Sequence, residues 1–208
     1  MSPFVFPKDK HVRTKTPARQ YKLYNTYKKY LREEFSRKCI YCCACDSMRG
    51  IAAFAVEHYL PKRDFPNLRT DYLNLFYCCN TCNSFKGDWY PSPADLKDGR
   101  FIPNPCDHVM FSHLRFKGPR IDSMSVAGQY TLRLLDLNED EAVKYREFVL
   151  DNIELWGRKV AELEGVVPKL NTLLAAGRLS AAEHAALVNE TNLNFDKARV
   201  HLARFLGS

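Results

Sequence analysis

The segment that decides the fold lies between residues 39 and 88 and contains two widely spaced cysteine pairs. It begins with Cys39-Ile-Tyr-Cys42, continues through Val56-Glu-His-Tyr-Leu-Pro-Lys62 and ends with Asp71-Tyr-Leu-Asn-Leu-Phe-Tyr-Cys-Cys-Asn-Thr-Cys-Asn-Ser-Phe-Lys-Gly-Asp88. Two cysteines separated by two residues can bind one ion from a tight turn, and four thiolates complete the tetrahedral shell of structural zinc. The pattern therefore predicts a structural zinc site formed by Cys39, Cys42, Cys79 and Cys82.

Cys45 is an alternative ligand, because Cys42-Cys-Ala-Cys45 is a further pair with the same spacing. We favour Cys39 and Cys42 and interpret the other cysteines, Cys43, Cys78 and Cys106, as free thiols. A redox dithiol would be expected within a thioredoxin-like βαβ pattern, and neither pair has one.

The motifs between and after the cysteine pairs resemble those of the HNH endonuclease family. The resemblance rests on Glu57-His58, Pro61-Lys62, Asn74-Leu75 and the Cys79–Asp88 segment, which occur in the family's order. It implies a two-stranded hairpin with His58 at its end, followed by a helix that carries Asn83. The predicted fold class is therefore α+β, with a small ββα-metal HNH core stapled by the four-cysteine zinc site within a mainly helical chain.

The resemblance also implies metal-dependent hydrolysis of phosphodiester bonds in DNA. His58 is the expected general base, since a neutral imidazole near pH 7 can accept a proton from water. Glu57 and Asn83 offer hard oxygen ligands for one divalent ion, Mg²⁺ or Mn²⁺. Such an ion would polarise the scissile phosphate and stabilise the departing oxygen.

Three further residues receive supporting roles. By analogy with the family, Asn74 is expected to tie a loop to the backbone so that His58 is correctly oriented. Lys62 and Lys86 are candidates for contacts with nucleic-acid phosphates. The chain departs from the family at two positions, because Asn83 stands where His is frequent and Glu57 where Asp is frequent. Both departures keep an oxygen ligand, and they leave the position of the ion open.

The charge distribution is that of a phosphate-contacting arm or of a solvated basic helix, and it does not decide between them. The chain has 208 residues and a formal net charge of +7. Residues 1–50 contain 12 Lys and Arg against 4 Asp and Glu, so the basic excess lies in the N-terminal quarter. The 46% hydrophobic content argues against disorder. We expect a cytoplasmic protein without a membrane span, because the chain lacks both a signal-like N-terminus and an apolar run of roughly 18 residues.

Four segments are expected along the chain: a basic arm and helix at 1–38, the HNH core at 39–105, a mixed connecting segment at 106–135 and a helical region at 136–208. Thr16 and Pro17 predict the start of a helix over Pro17–Arg37. The connecting segment includes a predicted strand at Gln129–Leu135. Helices are predicted from about Asn138 to Leu163, from Pro168 to near Gly177, and from a capping box at Ser180-Ala-Ala-Glu183 to about Leu206.

The predicted function is that of an HNH endonuclease, and the alternative is a non-catalytic zinc knuckle that binds nucleic acid or protein. Residues 57–66, 104–106 and 131–138 loosely resemble HNH subunits of Septu-type and retron-associated anti-phage systems. That resemblance implies a regulatory ATPase as partner. The nearly neutral helices of 136–208 either pack against the core or form a docking surface for that partner, and both interpretations stay open.

Overall fold

A computed structural model describes residues 2–15 and 17–207 of the chain. The chain divides into two compact units, residues 3–146 and residues 147–207 with Ser2. The first unit contains both cysteine pairs and all the motifs of the predicted core. The four predicted segments are not tested by this division and stay a prediction.

The helices and strands, in chain order, are α1 (Lys28–Glu34), α2 (Asp46–Arg49), β1 (Phe54–His58), β2 (Leu75–Cys79), α3 (Asn80–Lys86), α4 (Pro93–Lys97), β3 (Leu114–Lys117), β4 (Arg120–Ser123), α5 (Val126–Leu134), α6 (Asp140–Glu164), α7 (Val166–Ala175) and α8 (Ala181–Leu206). Short 3₁₀ turns lie at Tyr24–Tyr27, Ile51–Ala53, Pro66–Leu68, Tyr72–Asn74 and Met110–Ser112.

The centre of the first unit is an antiparallel strand pair followed directly by a helix. β1 pairs with β2 from Phe54 opposite Cys79 to His58 opposite Leu75. β2 is buried along its whole length, so both of its faces are covered by other parts of the unit. This mixture of helices and small antiparallel sheets agrees with the predicted α+β class. The order strand, strand, helix puts His58 at the end of a strand and Asn83 within α3.

The N-terminal helix is shorter than predicted. The sequence predicts a helix over Pro17–Arg37, whereas the structure has a 3₁₀ turn at Tyr24–Tyr27 followed by α1. The predicted N-cap, Thr16, lies outside the described residues. The main-chain N–H of Tyr21 donates to the Tyr27 hydroxyl over 2.8 Å, so a tertiary contact takes a donor that a helix would use. This contact overrides the helical pattern before residue 24.

The N-terminal arm has no helix or strand in its described residues, and it is packed against the rest of the first unit. Phe6 is 2% exposed and stacks on Phe116 with 4.8 Å between ring centroids. The guanidinium of Arg13 lies 4.5 Å from the centroid of the Phe76 ring and donates to the Leu75 main-chain oxygen over 2.7 Å. Aromatic burial and cation–π contacts therefore anchor the arm on the side of β2.

Glu34 of α1 anchors the same arm through its buried carboxylate. The carboxylate accepts the main-chain N–H groups of Thr14 and Lys15, over 2.9 and 2.6 Å, and contacts His11 Nε2 at 2.9 Å. Burial alone would raise the pKa of Glu34, but these hydrogen bonds lower it below its usual value. The arm is therefore held by a group that must stay ionised.

The predicted strand at Gln129–Leu135 is wrong, because these residues belong to α5 and its C-terminus. The Ser125 side chain caps the helix by accepting the N–H of Gly128 over 3.0 Å. Gly128 also lies against the main-chain oxygen of His113, where a Cβ atom would clash with that oxygen. The cap at Ser125 precedes the segment predicted as a strand and starts a helix that runs through it.

The second unit is helical, as predicted, and its helix boundaries lie close to the predicted ones. The capping box at Ser180 and Glu183 is present with both reciprocal hydrogen bonds. Within the unit, the rings of Trp156 on α6 and His201 on α8 stack with 4.3 Å between centroids. In the described part of the chain, no helix combines the length and apolarity that crossing a membrane requires.

Candidate metal centre and active site

The four cysteines of the two predicted pairs lie together in a buried cluster. The Sγ atoms of Cys39, Cys42, Cys79 and Cys82 are all within 4.8 Å of one another. Zinc–sulfur bonds of about 2.3 Å in a tetrahedron separate the sulfurs by about 3.8 Å, and the Cys42 and Cys79 sulfurs are 3.7 Å apart. Hydrogen bonds from the thiols of Cys39 and Cys42 lower the pKa of Cys79, which favours the thiolate that binds metal. The four cysteines are positioned to bind a metal ion, and their donor set fits structural zinc.

The local backbone explains why these cysteines meet and why Cys45 is not among them. Cys43 adopts a left-handed φ of 57°, and the N–H of Cys39 donates to Ala44 O over 2.9 Å, which closes a tight turn around the first pair. At the second pair, Cys79 is the N-cap of α3 and its sulfur accepts the N–H of Cys82. Cys45 accepts a hydrogen bond from the Ser47 hydroxyl instead.

A second feature of the first unit is a polar pocket beside the end of β1. Its volume is about 230 Å³, which is room for several water molecules. We call it the His58 pocket, and its lining residues are Tyr24, Asn25, Ala55, Val56, His58, Pro61, Lys62, Asn83, Gly87 and Asp88. Three of the predicted site residues, His58, Asn83 and Lys62, therefore meet at one pocket.

The hydrogen bond of His58 fixes which of its ring nitrogens can act as a base. His58 Nε2 lies 2.9 Å from the main-chain oxygen of Arg69. A carbonyl oxygen can only accept, so Nε2 carries the hydrogen and the neutral ring keeps a lone pair on Nδ1. Burial lowers the pKa of His58, and repulsion from Lys62 and Lys86 lowers it further. The imidazole is therefore neutral near pH 7 and can accept a proton at Nδ1.

Tyr24 forms one wall of the pocket and holds the His58 ring from the side. The two ring centroids are 4.7 Å apart at an interplanar angle of 74°, an edge-to-face contact. The Lys62 ammonium and the Arg69 guanidinium lie 5.2 and 5.8 Å from the centroid of the Tyr24 ring. Two cations thus lie against the Tyr24 ring, and the exposed Lys62, which lines the pocket, is available to a phosphate.

Glu57 and Lys86 do not occupy the positions that the sequence predicts for them. Their side chains are 1% and 2% exposed, and Lys86 Nζ lies 2.6 Å from Glu57 Oε1. Neither residue is among those that line the His58 pocket. The expectation that Glu57 holds a divalent ion stays a prediction, and the burial of its carboxylate beside the Lys86 counter-ion opposes it. The expectation that Lys86 contacts phosphate also stays a prediction, and the burial of its ammonium opposes it.

Alternation along β1 could have indicated this arrangement from the sequence. Successive side chains of a strand point to opposite faces, so Glu57 and His58 diverge. Lys86 also donates to the main-chain oxygen of His58 over 2.9 Å, so the ammonium links α3 to β1 at two points. Both residues are structural neighbours of the pocket.

Asn74 ties down the loop that follows His58. Its side-chain oxygen accepts the N–H of Leu60 over 2.8 Å, and its side-chain nitrogen donates to the Leu60 and Leu68 main-chain oxygens over 3.0 and 3.3 Å. Asn74 is 6% exposed, so water competes little with these bonds. Asn74, the last residue of the 3₁₀ turn before β2, therefore holds the loop that provides the Arg69 carbonyl.

Tyr24 and Asp88 also line the pocket, and the sequence motifs predict no role for either. Tyr24 falls within the predicted helix Pro17–Arg37, and no sequence signal places its ring against His58. Asp88 closes the Lys86-Gly87-Asp88 motif and is the acidic residue among those that line the pocket. The position of Asp88 at the end of the Cys79–Asp88 segment is the sequence signal that could have identified it as a site residue.

The fold and the site together define a small α+β protein with a candidate four-cysteine metal centre beside a polar pocket. Comparison with known proteins adds one distant relationship. No family model and no solved structure matches the chain. The chain is similar to the Septu protein PtuB of Bacillus thuringiensis, with 29% identity over 121 residues. The match covers 58% of this chain and 44% of that relative, so the chain spans less than half of the relative's length.

Proposed function

We propose that the chain is a metal-dependent endonuclease that hydrolyses phosphodiester bonds in DNA. The observation that carries this proposal is the His58 pocket. It brings a neutral imidazole with a free Nδ1 together with the Asn83 amide and the exposed Lys62. A binding knuckle needs no such base, whereas hydrolysis requires one.

The residues of the pocket have distinct tasks in the proposed reaction. His58 takes a proton at Nδ1 from the attacking water, while its Nε2–H stays on the Arg69 carbonyl. Tyr24 and Asn74 restrict the ring and its loop, so that the base is held before the substrate arrives. Lys62 contacts a phosphate at the mouth of the pocket.

The pocket also offers oxygen donors for a divalent ion. Amide and carboxylate oxygens are the ligands that Mg²⁺ and Mn²⁺ prefer, and both types line the pocket, at Asn83 and Asp88. Bound there, the ion would neutralise charge on the scissile phosphate and stabilise the leaving oxygen. The structural zinc has a separate task, which is to hold β2 and α3 to the turn at Cys39–Cys42.

The test is cleavage of supercoiled plasmid by the zinc-loaded chain with Mg²⁺, with Mn²⁺ and with EDTA. We expect metal-dependent cleavage that His58→Ala reduces by about 10²–10⁴-fold, the usual contribution of a general base. His184→Ala, in the helical unit, is the matched control. Full activity of His58→Ala would overturn the assignment. Salt-sensitive DNA binding without cleavage in either metal would favour the non-catalytic zinc module instead.

The distant similarity to a Septu protein supports a role in anti-phage defence. We propose that the nuclease works there with a regulatory ATPase subunit, which the C-terminal helices contact. Leu155, Leu193 and Val200 of the second unit are 55%, 55% and 69% exposed, which suits a protein contact better than a DNA contact. Plaque assays would test the defence role, and co-purification of the ATPase with a Leu193→Glu, Val200→Glu double variant would test the contact.

A further inference from the structure

We propose that Asp88, together with Asn83, provides the protein ligands of the catalytic divalent ion, and that Glu57 does not. This inference rests on the proposed nuclease function and gives a role to Asp88, for which the sequence motifs predict none. Three observations support it. Asp88 lines the His58 pocket, Glu57 is buried beside the ammonium of Lys86, and the oxygen donors of the pocket suit Mg²⁺ or Mn²⁺.

The end of α3 brings Asp88 back toward Asn83. The helix ends at Lys86, and Gly87 follows with a φ of 51°, the left-handed region that favours glycine. The N–H of Gly87 donates to Asn83 O over 3.0 Å, which closes the last turn. Asn83, Gly87 and Asp88 then line one pocket together with His58. The Asp88 carboxylate follows the carbonyl end of the helix, where negative charge is unfavourable, so helix stability does not explain its presence.

The carboxylate of Asp88 is accessible to solvent, whereas that of Glu57 is buried in an ion pair with Lys86. The Asp88 side chain is 48% exposed, and Arg63 Nη1 lies 3.9 Å from its Oδ2, at the outer limit of an ion pair. A dication can displace so loose a partner. Glu57 is 1% exposed, and its Oε1 already lies 2.6 Å from the ammonium of Lys86, which would repel a second cation there. Binding an ion there would require that a buried lysine be displaced or deprotonated.

The donor set fits Mg²⁺ or Mn²⁺. Mg²⁺ typically takes one or two carboxylates from the protein and keeps several waters, and a polar pocket of about 230 Å³ has room for them. Asp88 supplies the carboxylate and Asn83 a neutral oxygen. His58 stays outside the ligand set, because Nε2 is engaged by Arg69 O and Nδ1 is needed for the proton.

The experiment is a titration of the zinc-loaded full chain with Mn²⁺ alone, followed by the electron paramagnetic resonance signal of free Mn²⁺. We expect Asp88→Asn to weaken Mn²⁺ binding at least tenfold without a change in zinc content. Asp64→Asn is the matched control, because Asp64 is an exposed partner of the same Arg63; it should bind Mn²⁺ like the wild type. Glu57→Gln should also keep its affinity, and Glu57→Gln, Lys86→Met serves if the single variant fails to fold.

The outcomes separate this inference from the nuclease proposal. Unchanged Mn²⁺ binding in Asp88→Asn, or lost binding in the folded Glu57 variants, overturns the ligand assignment even if the wild type cuts DNA. Binding of Mn²⁺ that depends on Asp88 supports the assignment even if DNA is left intact, and the nuclease proposal then fails alone. Absence of Mn²⁺ binding to the wild type overturns the assignment outright.

Discussion

The ammonium of Lys86 donates to the main-chain oxygen of His58 over 2.9 Å, so the last residue of α3 holds the last residue of β1. The same ammonium neutralises Glu57, the neighbour of His58 along the strand. Because α3 begins at the cysteine cluster, one short helix connects the candidate metal centre to the candidate base. The position of His58 therefore depends on the cluster and on a buried ion pair as well as on its own contacts.

Lys86→Met is expected to destabilise the protein by about 3–5 kcal/mol, because it leaves the Glu57 carboxylate buried without its partner. The measurement is urea unfolding at pH 7, with Lys97→Met on the exposed face of α4 as the control, expected to change the free energy of unfolding by less than about 0.5 kcal/mol.

The same variant has a predictable pH dependence. Burial raises the pKa of Glu57 in the folded protein. A group with a raised folded pKa favours the folded state below its unfolded pKa, and this contribution is lost as pH rises through the folded value. The cost of Lys86→Met should therefore shrink as the pH falls toward about 4, where Glu57 is protonated. If Lys86→Met lowers the free energy of unfolding equally at pH 7 and at about pH 4, the ion pair between Lys86 and Glu57 is contradicted.

The pH–rate profile of DNA cleavage should report His58. The base form is required, and both burial and the nearby cations lower the pKa of His58. The rate should rise with pH along an acidic limb whose midpoint lies below about 6.5, the usual value for histidine, and then level off. Lys62→Met removes one of the repelling charges, so its limb should move to higher pH. Lys97→Met should leave the limb in place, and a limb unmoved by Lys62→Met would mean that Lys62 does not act on the base.

Zinc content should separate the two alternatives for the first cysteine pair. Metal analysis of the purified chain is expected to give one zinc for the wild type and for Cys45→Ser, and none for Cys42→Ser or Cys79→Ser. Loss of the ion should also unfold the strand pair and α3, since so small a segment has little core of its own. Retained zinc in Cys42→Ser, with loss in Cys45→Ser, would reverse the ligand assignment.

The sequence predicts the parts of this protein that depend on local spacing. Cysteine spacing identifies the cluster, and the capping box at Ser180 and Glu183 identifies the start of α8. Sequence-based prediction fails where a contact between residues far apart in the chain determines the position of a side chain. The side chain of Glu57 is drawn to Lys86, which lies 29 positions further along the chain, and Tyr24 reaches His58 from the N-terminal segment. Such contacts have no periodicity, so the motif alone assigns Glu57 to a ligand role that its burial opposes.

The attachment of the N-terminal arm should depend on Glu34 and on pH. The pKa of Glu34 is lowered in the folded protein, so its stabilising contribution is present above the unfolded value of about 4.3 and is lost as pH falls through the folded value. Glu34→Gln keeps the shape of the side chain but weakens its bonds to Thr14, Lys15 and His11, at a cost of about 1–3 kcal/mol.

If Glu34→Gln releases the N-terminal arm, limited trypsin digestion at pH 7 would detect the release as faster cleavage after Arg13 and Lys15. Glu33→Gln is the matched control, since the adjacent Glu33 side chain is half-exposed and pairs with Arg32 and Arg37 of its own region. If both variants are cut at the wild-type rate, the arm is held mainly by Phe6 and Arg13 rather than by the buried carboxylate. Protection that depends on Glu34 would show instead that an ionised group beneath the arm fixes a basic segment against the rest of the unit that contains the His58 pocket.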